Sequence, residues 1–187
     1  MRSKLVIGLA GMSGAGKSVV VNVARERGYG VAVMGDEVRE EAKRRRLKPT
    51  RENLAKIMLE LRQDEGGAAI AKRCIPKIDK MAERKLIVDG VRSLSEVEEF
   101  SKHFPNFSLL AVHSSPETRF KRLYRRRRSD DPRSWETFHE RDVRELSVGL
   151  GDIIAMAEHV IENEEKIEAL KRKVRELLRR VEERWMI

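Results

Sequence analysis

Residues 11–18 read Gly-Met-Ser-Gly-Ala-Gly-Lys-Ser, and no other stretch of the chain restricts its fold so sharply. Two glycines with four residues between them, Gly11 and Gly16, followed at once by lysine and a hydroxyl residue, describe a loop whose backbone amides turn inward around an anion. Before it, Lys4–Ala10 (KLVIGLA) is a short apolar run; after it, VVVNVARERG has the apolar spacing of a helix that Gly28 closes. Strand, glycine loop and helix in that order predict a phosphate-binding loop made of Gly11, Met12, Ser13, Gly14, Ala15, Gly16, Lys17 and Ser18. The positive N-terminal end of the helix then lies behind the phosphates. Lys17 is expected to reach the terminal phosphates of ATP, and Ser18 to hold magnesium. A chance glycine-rich turn is the competing reading, and the register with strand and helix argues against it.

The rest of the chain repeats the alternation. Val31–Met34, Leu86–Asp89, Phe107–His113 and His159–Ile161 read as further strands. Between them the spacing predicts helices over Asp36–Leu47, from Thr50 to the Gly66-Gly67 break, on to about Arg84 with a kink or first turn at Pro76, and over Ser95–His103. Pro116 opens a helix that runs into Arg125–Arg128, and a charged helix is expected from Asp131 to Leu146, followed by a short one over Gly149–Ala157. Ile167, Leu170, Val174, Leu177, Leu178 and Val181 form one apolar face of a last helix from Glu164 to Arg184. Strands alternating with helices predict an α/β, three-layer P-loop NTPase fold with a five-stranded parallel sheet and a helical lid. In such sheets ligands collect at the carboxyl ends of the strands, where the glycine loop, Asp36 and Asp89 fall.

The length of 187 residues suits one P-loop kinase domain over residues 1–187, with a lid at about 125–146. That segment combines four arginines, an Asp-Asp-Pro break and few apolar positions, so little burial is expected to hold it without ligand. No apolar run approaches the roughly 20 residues that span a bilayer, and no membrane partner is expected. The basic, apolar start is read as part of the first strand rather than an export signal. Cys74 is the single cysteine, which excludes an internal disulfide and suits a cytoplasmic setting; a buried place on a helix is expected for it.

A net charge of +9 implies an anionic partner, and nucleotide phosphates and nucleic acid both qualify. Two basic runs carry much of it: Lys43–Arg46 with Lys48, and Arg125–Arg128. A basic run is as readily a solvated helix face as a site. Asp89 ends the apolar strand LIVDG, the position of an acidic group beside bound magnesium, although an Asp-Gly pair also makes a turn.

Several segments then resemble one family in order along the chain. Met34-Gly35-Asp36-Glu37-Val38-Arg39 resembles the Gly-Asp-x-x-Arg segment of adenylate kinases, and Val88-Asp89-Gly90-Val91-Arg92 their Asp-Gly-Phe-Pro-Arg segment. Arg128-Ser129-Asp130-Asp131 resembles the Arg-x-Asp-Asp of their lid, with Arg141 matching the arginine on the lid's second arm. The whole run looks like archaeal P-loop nucleotide kinases related to adenylate kinase and dephospho-CoA kinase. The resemblance implies that Arg39 and Arg92 hold an acceptor phosphate and that Arg128 and Arg141 neutralise the transferring phosphoryl group.

Phosphoryl transfer asks a protein to align two anions and neutralise them. Arg39, Arg92, Arg122, Arg126, Arg128 and Arg141 are the candidate cations, each with a surface ion pair as its plain alternative. Asp36 has three readings: a base for a hydroxyl acceptor, an acceptor ligand, or a helix cap. Asn163, after the fifth strand, is placed near the donor nucleotide's base or in a turn. Trp135 and Trp185 are too isolated in sequence for a base-stacking platform. The leading expectation is an ATP-dependent phosphotransferase acting on a small nucleotide, of the nucleoside monophosphate kinase kind, with ATP and magnesium. Its alternatives are a hydroxyl kinase for dephospho-CoA, a nucleoside or an RNA end, and a nucleotide-dependent RNA-binding or regulatory protein. Nucleic acid is the less favoured partner.

Overall fold

Among the described residues of a computed structural model, five strands, most of them apolar runs, pair into one parallel sheet. The structure describes residues 4–128 and 131–186. Ser129 and Asp130, the middle of the lid-like motif, lie outside the described residues. The strands are β1 (Leu5–Ala10), β2 (Gly30–Val33), β3 (Lys85–Asp89), β4 (Asn106–His113) and β5 (His159–Glu162), in the order β2-β3-β1-β4-β5. Parallel neighbours need helical crossovers. These come from α1 (Lys17–Glu26), α2 (Met34–Arg44), α3 (Arg51–Glu65), α4 (Ala69–Lys80), α5 (Leu94–His103), α6 (Pro116–Arg126), α7 (Trp135–Ser147), α8 (Leu150–Ala155) and α9 (Ile167–Met186).

Alternation along the strands builds the layers. Val6, Ala10, Leu86, Val88, Leu109 and Ala111 face one side, where they bury Val38 of α2, Ile57 and Leu61 of α3, Ile78 of α4, Phe100 of α5 and Ile153 of α8. Leu5, Ile7, Leu9, Ile87, Leu110 and Val112 face the other, against α1 and against Leu170, Val174, Leu177, Leu178 and Val181 of α9. Strands buried on both faces suit a parallel sheet between helical layers. β1 lies at its centre, so the glycine loop emerges mid-way along the carboxyl edge. Asp89 pairs in register with Leu9, which places its carboxylate beside the loop's first residues. No helix among the described residues is long and apolar enough to cross a membrane.

Local chemistry sets the helix starts, and those of α2 and α7 differ from the sequence expectation. Thr50 caps α3 by accepting from Asn53 N, Ser115 caps α6 just before Pro116, and Ser134 forms a capping box with Thr137 that starts α7 at Trp135 rather than Asp131. Asp131 is instead drawn to Arg126. α2 starts at Met34, with Val33 at the cap position and no side-chain cap, so Asp36 is not a helix cap. α4 runs through Pro76 without ending there. Pro76 and Lys72 both face solvent, where water can satisfy the carbonyl that loses its amide partner. Cys74 is buried on α4, as expected.

Candidate active site

The loop between β1 and α1 is shaped by close approach. Gly11 adopts φ 145° and Gly16 φ 112°, backbone that favours glycine. A methyl group at Gly11 would lie 2.5 Å from Val112 O, and one at Gly16 would collide with the Asn163 amide. Asn163 braces the loop from behind: its Nδ2 donates to Ala15 O at 2.8 Å and its backbone N to His113 O at 2.8 Å. Arg122 donates to Ser114 Oγ and to Asn163 O, both at 2.9 Å, and Ser114 Oγ donates to Asn163 O at 2.6 Å. Arg122 and Asn163, singled out for the donor nucleotide, are thus tied to each other and to the loop's backbone.

Lys17 donates to Gly11 O and, at 3.3 Å, to Met12 O. Burial pushes its pKa down to about 8, against the attraction of Asp89 and Glu145; the charges of Arg92 and Arg141 add to the lowering. Asp89 Oδ1 is buried with no hydrogen-bond partner. Burial raises the pKa of this carboxyl, opposed by Lys17 and Arg92. Ser18 is exposed in the first turn of α1. An orphaned carboxylate oxygen near Lys17, together with the exposed hydroxyl that follows Lys17 on α1, fits magnesium carried in on nucleotide phosphates. Among the described residues no group of three or more His, Cys, Asp or Glu side chains could hold a metal ion. Phosphate and water would therefore supply the remaining ligands.

In front of the loop lies a narrow cleft walled by Ser13, Lys17, Arg92, Glu145 and Leu150. A second one adjoins it, with an apolar wall of Met34, Val38 and Ile70 facing Arg62 and Glu96. Gly90 and Arg92 border both. Glu96 is fully buried and organises this floor: it accepts from Arg92 N at 2.8 Å and pairs with Arg62 at 2.6 Å. The Arg92 guanidinium lies 3.5 Å from Glu145 Oε2.

The other arginines are spent differently. Arg39 pairs with Asp36 at 2.5 Å, both more than half exposed, and neither lines either of these two clefts. Arg126 pairs with the buried carboxylate of Asp131 at 2.6 Å, which also accepts from Arg128 N at 2.9 Å; the Arg128 side chain is exposed. Arg141 is half-buried on α7, and its charge is felt at both Lys17 and Asp131. In the first basic run, Arg44 and Arg45 both bind the buried Glu41, joined by Arg73 at 3.0 Å.

Five functional candidates escaped the sequence: Arg62, Glu96, Arg119, Asp142 and Glu145. Arg119 is buried on α6 and meets Asp142 of α7 through two hydrogen bonds of 2.8 and 2.5 Å. It also reaches Ser13 O of the loop at 3.4 Å and lies over the Phe138 ring. Phe138 is buried and packs with Phe120 and Trp135. The expected lid helix buries only Phe138 and Asp142, and through them it is anchored to α6, while Trp135 belongs to an aromatic cluster. Phe138, Asp142 and Glu145 are spaced four and three apart, one face of a helix, and that spacing was the available signal.

A family profile described as an AAA domain matches residues 10–139. The UPF0200 protein of Hyperthermus butylicus is 46% identical over 178 residues, covering 95% of each chain. TT1252 from Thermus thermophilus superposes with a TM-score of 0.66 at 21% identity, over 95% of this chain and 98% of that one. Shikimate kinase from Bacteroides thetaiotaomicron does so at 0.60 and 16%, over 94% and 98%. The solved structures share a P-loop kinase-like fold with this chain.

Proposed function

We propose, from the premise that this chain belongs to the UPF0200 family and carries its AAA-type domain, that it is an ATP-dependent phosphotransferase acting on a small nucleotide. One observation carries the reading: the loop that would hold the donor phosphates opens onto a cleft that adjoins, across Gly90 and Arg92, a second one lined by Arg62 and Glu96. A switch that only bound ATP would have no use for the second cleft. The chemistry follows from alignment and charge, since phosphoryl transfer leaves a protein little covalent work.

In this reading the loop amides from Gly11 to Ser18 cradle the donor phosphates, and Lys17 exchanges its carbonyl partners for phosphate oxygens. Magnesium, held by Ser18 and through the orphaned oxygen of Asp89, supplies charge neutralisation. Arg92 and Arg141 lie near Lys17 and meet the charge that spreads during transfer. Residues 125–146 act as the lid, with Arg126 and Arg128 at its base. Arg119 ties this lid to the loop, so closure is a small settling of α7 rather than ordering of a loose segment.

One acceptor reading, from the resemblance to adenylate kinases, is a nucleoside monophosphate whose phosphate Arg92 would hold, with Arg39 joining only once freed from Asp36. A second reading, transfer to a hydroxyl of dephospho-CoA, a nucleoside or an RNA end, is favoured by the Glu145 carboxylate standing in the cleft. The kinase name of the similarly folded shikimate kinase is in keeping with either. A nucleic-acid surface draws less support, because Arg44, Arg45 and Arg126 are committed to carboxylates. The test is to offer ATP, magnesium and a panel of nucleoside monophosphates, dephospho-CoA, nucleosides and short RNAs, and to identify each phosphorylated product. A small phosphorylated nucleotide or nucleoside is expected; product on RNA ends alone would refute the small-acceptor reading.

A further inference from the structure

Glu145 pairs with Arg92 across the cleft at 3.5 Å. It projects from α7 into the cleft in front of the loop, with 18% of its side chain exposed, and shares that wall with Lys17 and Arg92. Asp142, one turn earlier on the same face, is fastened by Arg119, which also reaches the loop at Ser13 O. One buried side chain thus fixes the distance between this carboxylate and the donor-phosphate loop.

The charges around the two clefts bear on what the acceptor can be. Lys17, Arg92 and Arg62 line them, with Arg141 near Lys17, against Glu145 and Glu96, with Asp89 also close to Lys17. A phosphate acceptor would bring about two further negative charges into this nearly balanced lining, beside the donor's own phosphates. A carboxylate at that point repels it. A hydroxyl brings no charge but must lose a proton as it attacks, and a carboxylate at that point can take it. Asp36 cannot serve, being exposed, paired with Arg39 and outside both clefts.

Resting on the phosphotransferase reading, we propose that Glu145 is the proton acceptor of this site and that the group phosphorylated is a neutral hydroxyl. The hydroxyl oxygen bonds to the γ-phosphorus of ATP while the bond from that phosphorus to the β,γ-bridging oxygen breaks. ADP leaves with the electron pair of that bond. The hydroxyl proton passes to a Glu145 oxygen and from there to water. Arg92, 3.5 Å from the same carboxylate and bordering both clefts, holds it at their junction. Water is the smallest such acceptor, so slow ATP hydrolysis reports on the same step.

The experiment compares the full chain with Glu145→Gln and Glu145→Asp. Mg-ATP affinity is measured by calorimetry, ADP release with water alone, and transfer to adenosine, dephospho-CoA and AMP by phosphorus NMR of the products. The proposal expects phosphomonoester products. It also expects Glu145→Gln to lower hydrolysis and transfer by about a hundredfold or more, the usual worth of a positioned base, with Mg-ATP affinity nearly unchanged and partial recovery in Glu145→Asp. A phosphoanhydride formed on the phosphate of AMP would overturn it. So would a Glu145→Gln variant that keeps its turnover and binds Mg-ATP more tightly, the mark of a carboxylate that merely occupies the phosphate's place. A wild-type chain that binds no Mg-ATP would remove the phosphotransferase reading, and this inference with it.

Discussion

Replacing Asp142 by alanine should destabilise this protein more than its position on a charged helix suggests. Only 4% of the Arg119 side chain and 9% of the Asp142 side chain are exposed, so the change leaves a buried guanidinium without its counter-charge. Removing one partner of a buried pair costs about 3–5 kcal/mol, because the remaining charge stays desolvated. Arg119 keeps its bonds to Ser114 O at 3.1 Å and Ser13 O at 3.4 Å, which places the expected loss toward the lower end. At about 2–4 °C per kcal/mol for a chain of this size, the melting temperature should fall by roughly 6–15 °C. Thermal unfolding followed by circular dichroism measures it. A double-mutant cycle with Arg119→Met should then show that the second change costs little once the first is made. A shift under about 2 °C for Asp142→Ala, within the range of an exposed pair, would refute the anchoring of α7.

Two further outcomes follow from the loop and from the first basic run. Gly16→Ala places a side chain at φ 112° against the Asn163 amide, so strain of about 1–3 kcal/mol and a marked loss of Mg-ATP affinity are expected; calorimetry showing normal affinity would contradict the close approach. Hydrogen bonds from Arg44, with Arg45 and Arg73 contributing and burial opposing, lower the Glu41 pKa to about 2. A lowered carboxylate stabilises the fold fully above its unfolded value near 4.5 and loses that contribution as pH falls toward 2. Glu41→Gln should therefore be less stable than wild type at neutral pH and show a shallower loss between those values; identical acid unfolding curves would contradict the network.

The strands and the glycine loop are legible in the sequence because both rest on short-range patterns: apolar runs ending at Ala10, Asp89 and His113, and eight consecutive residues with fixed backbone demands. Layer assignment follows from alternation, as at Leu5, Ile7 and Leu9. The cleft is less legible. Arg39 and Arg92 look equivalent as arginines near strand ends, yet α2 starts two residues before Asp36 and turns Arg39 outward, whereas Glu96 captures the backbone of Arg92. Arg119 and Asp142 are 23 residues apart, and no local rule pairs them across the turn between α6 and α7. Asn163 reads as a turn residue until the fold brings it 2.8 Å from Ala15 O. Pairings of that kind belong to the tertiary structure, and sequence periodicity names the face without naming the partner.

Single-turnover transfer from ATP labelled on its γ-phosphate, run with wild type and Lys17→Ala, tests the central claim most directly. Lys17 lies in the loop with its ammonium against Gly11 O and Met12 O rather than in an ion pair, so alanine removes a charge aimed at phosphate and little that holds the fold. The account predicts that wild type moves the label from ATP to a small acceptor. Lys17→Ala, folded by circular dichroism, should leave it on ATP. Label that stays on ATP bound to wild type, with every acceptor present, would contradict the phosphotransferase reading and make the loop a nucleotide sensor.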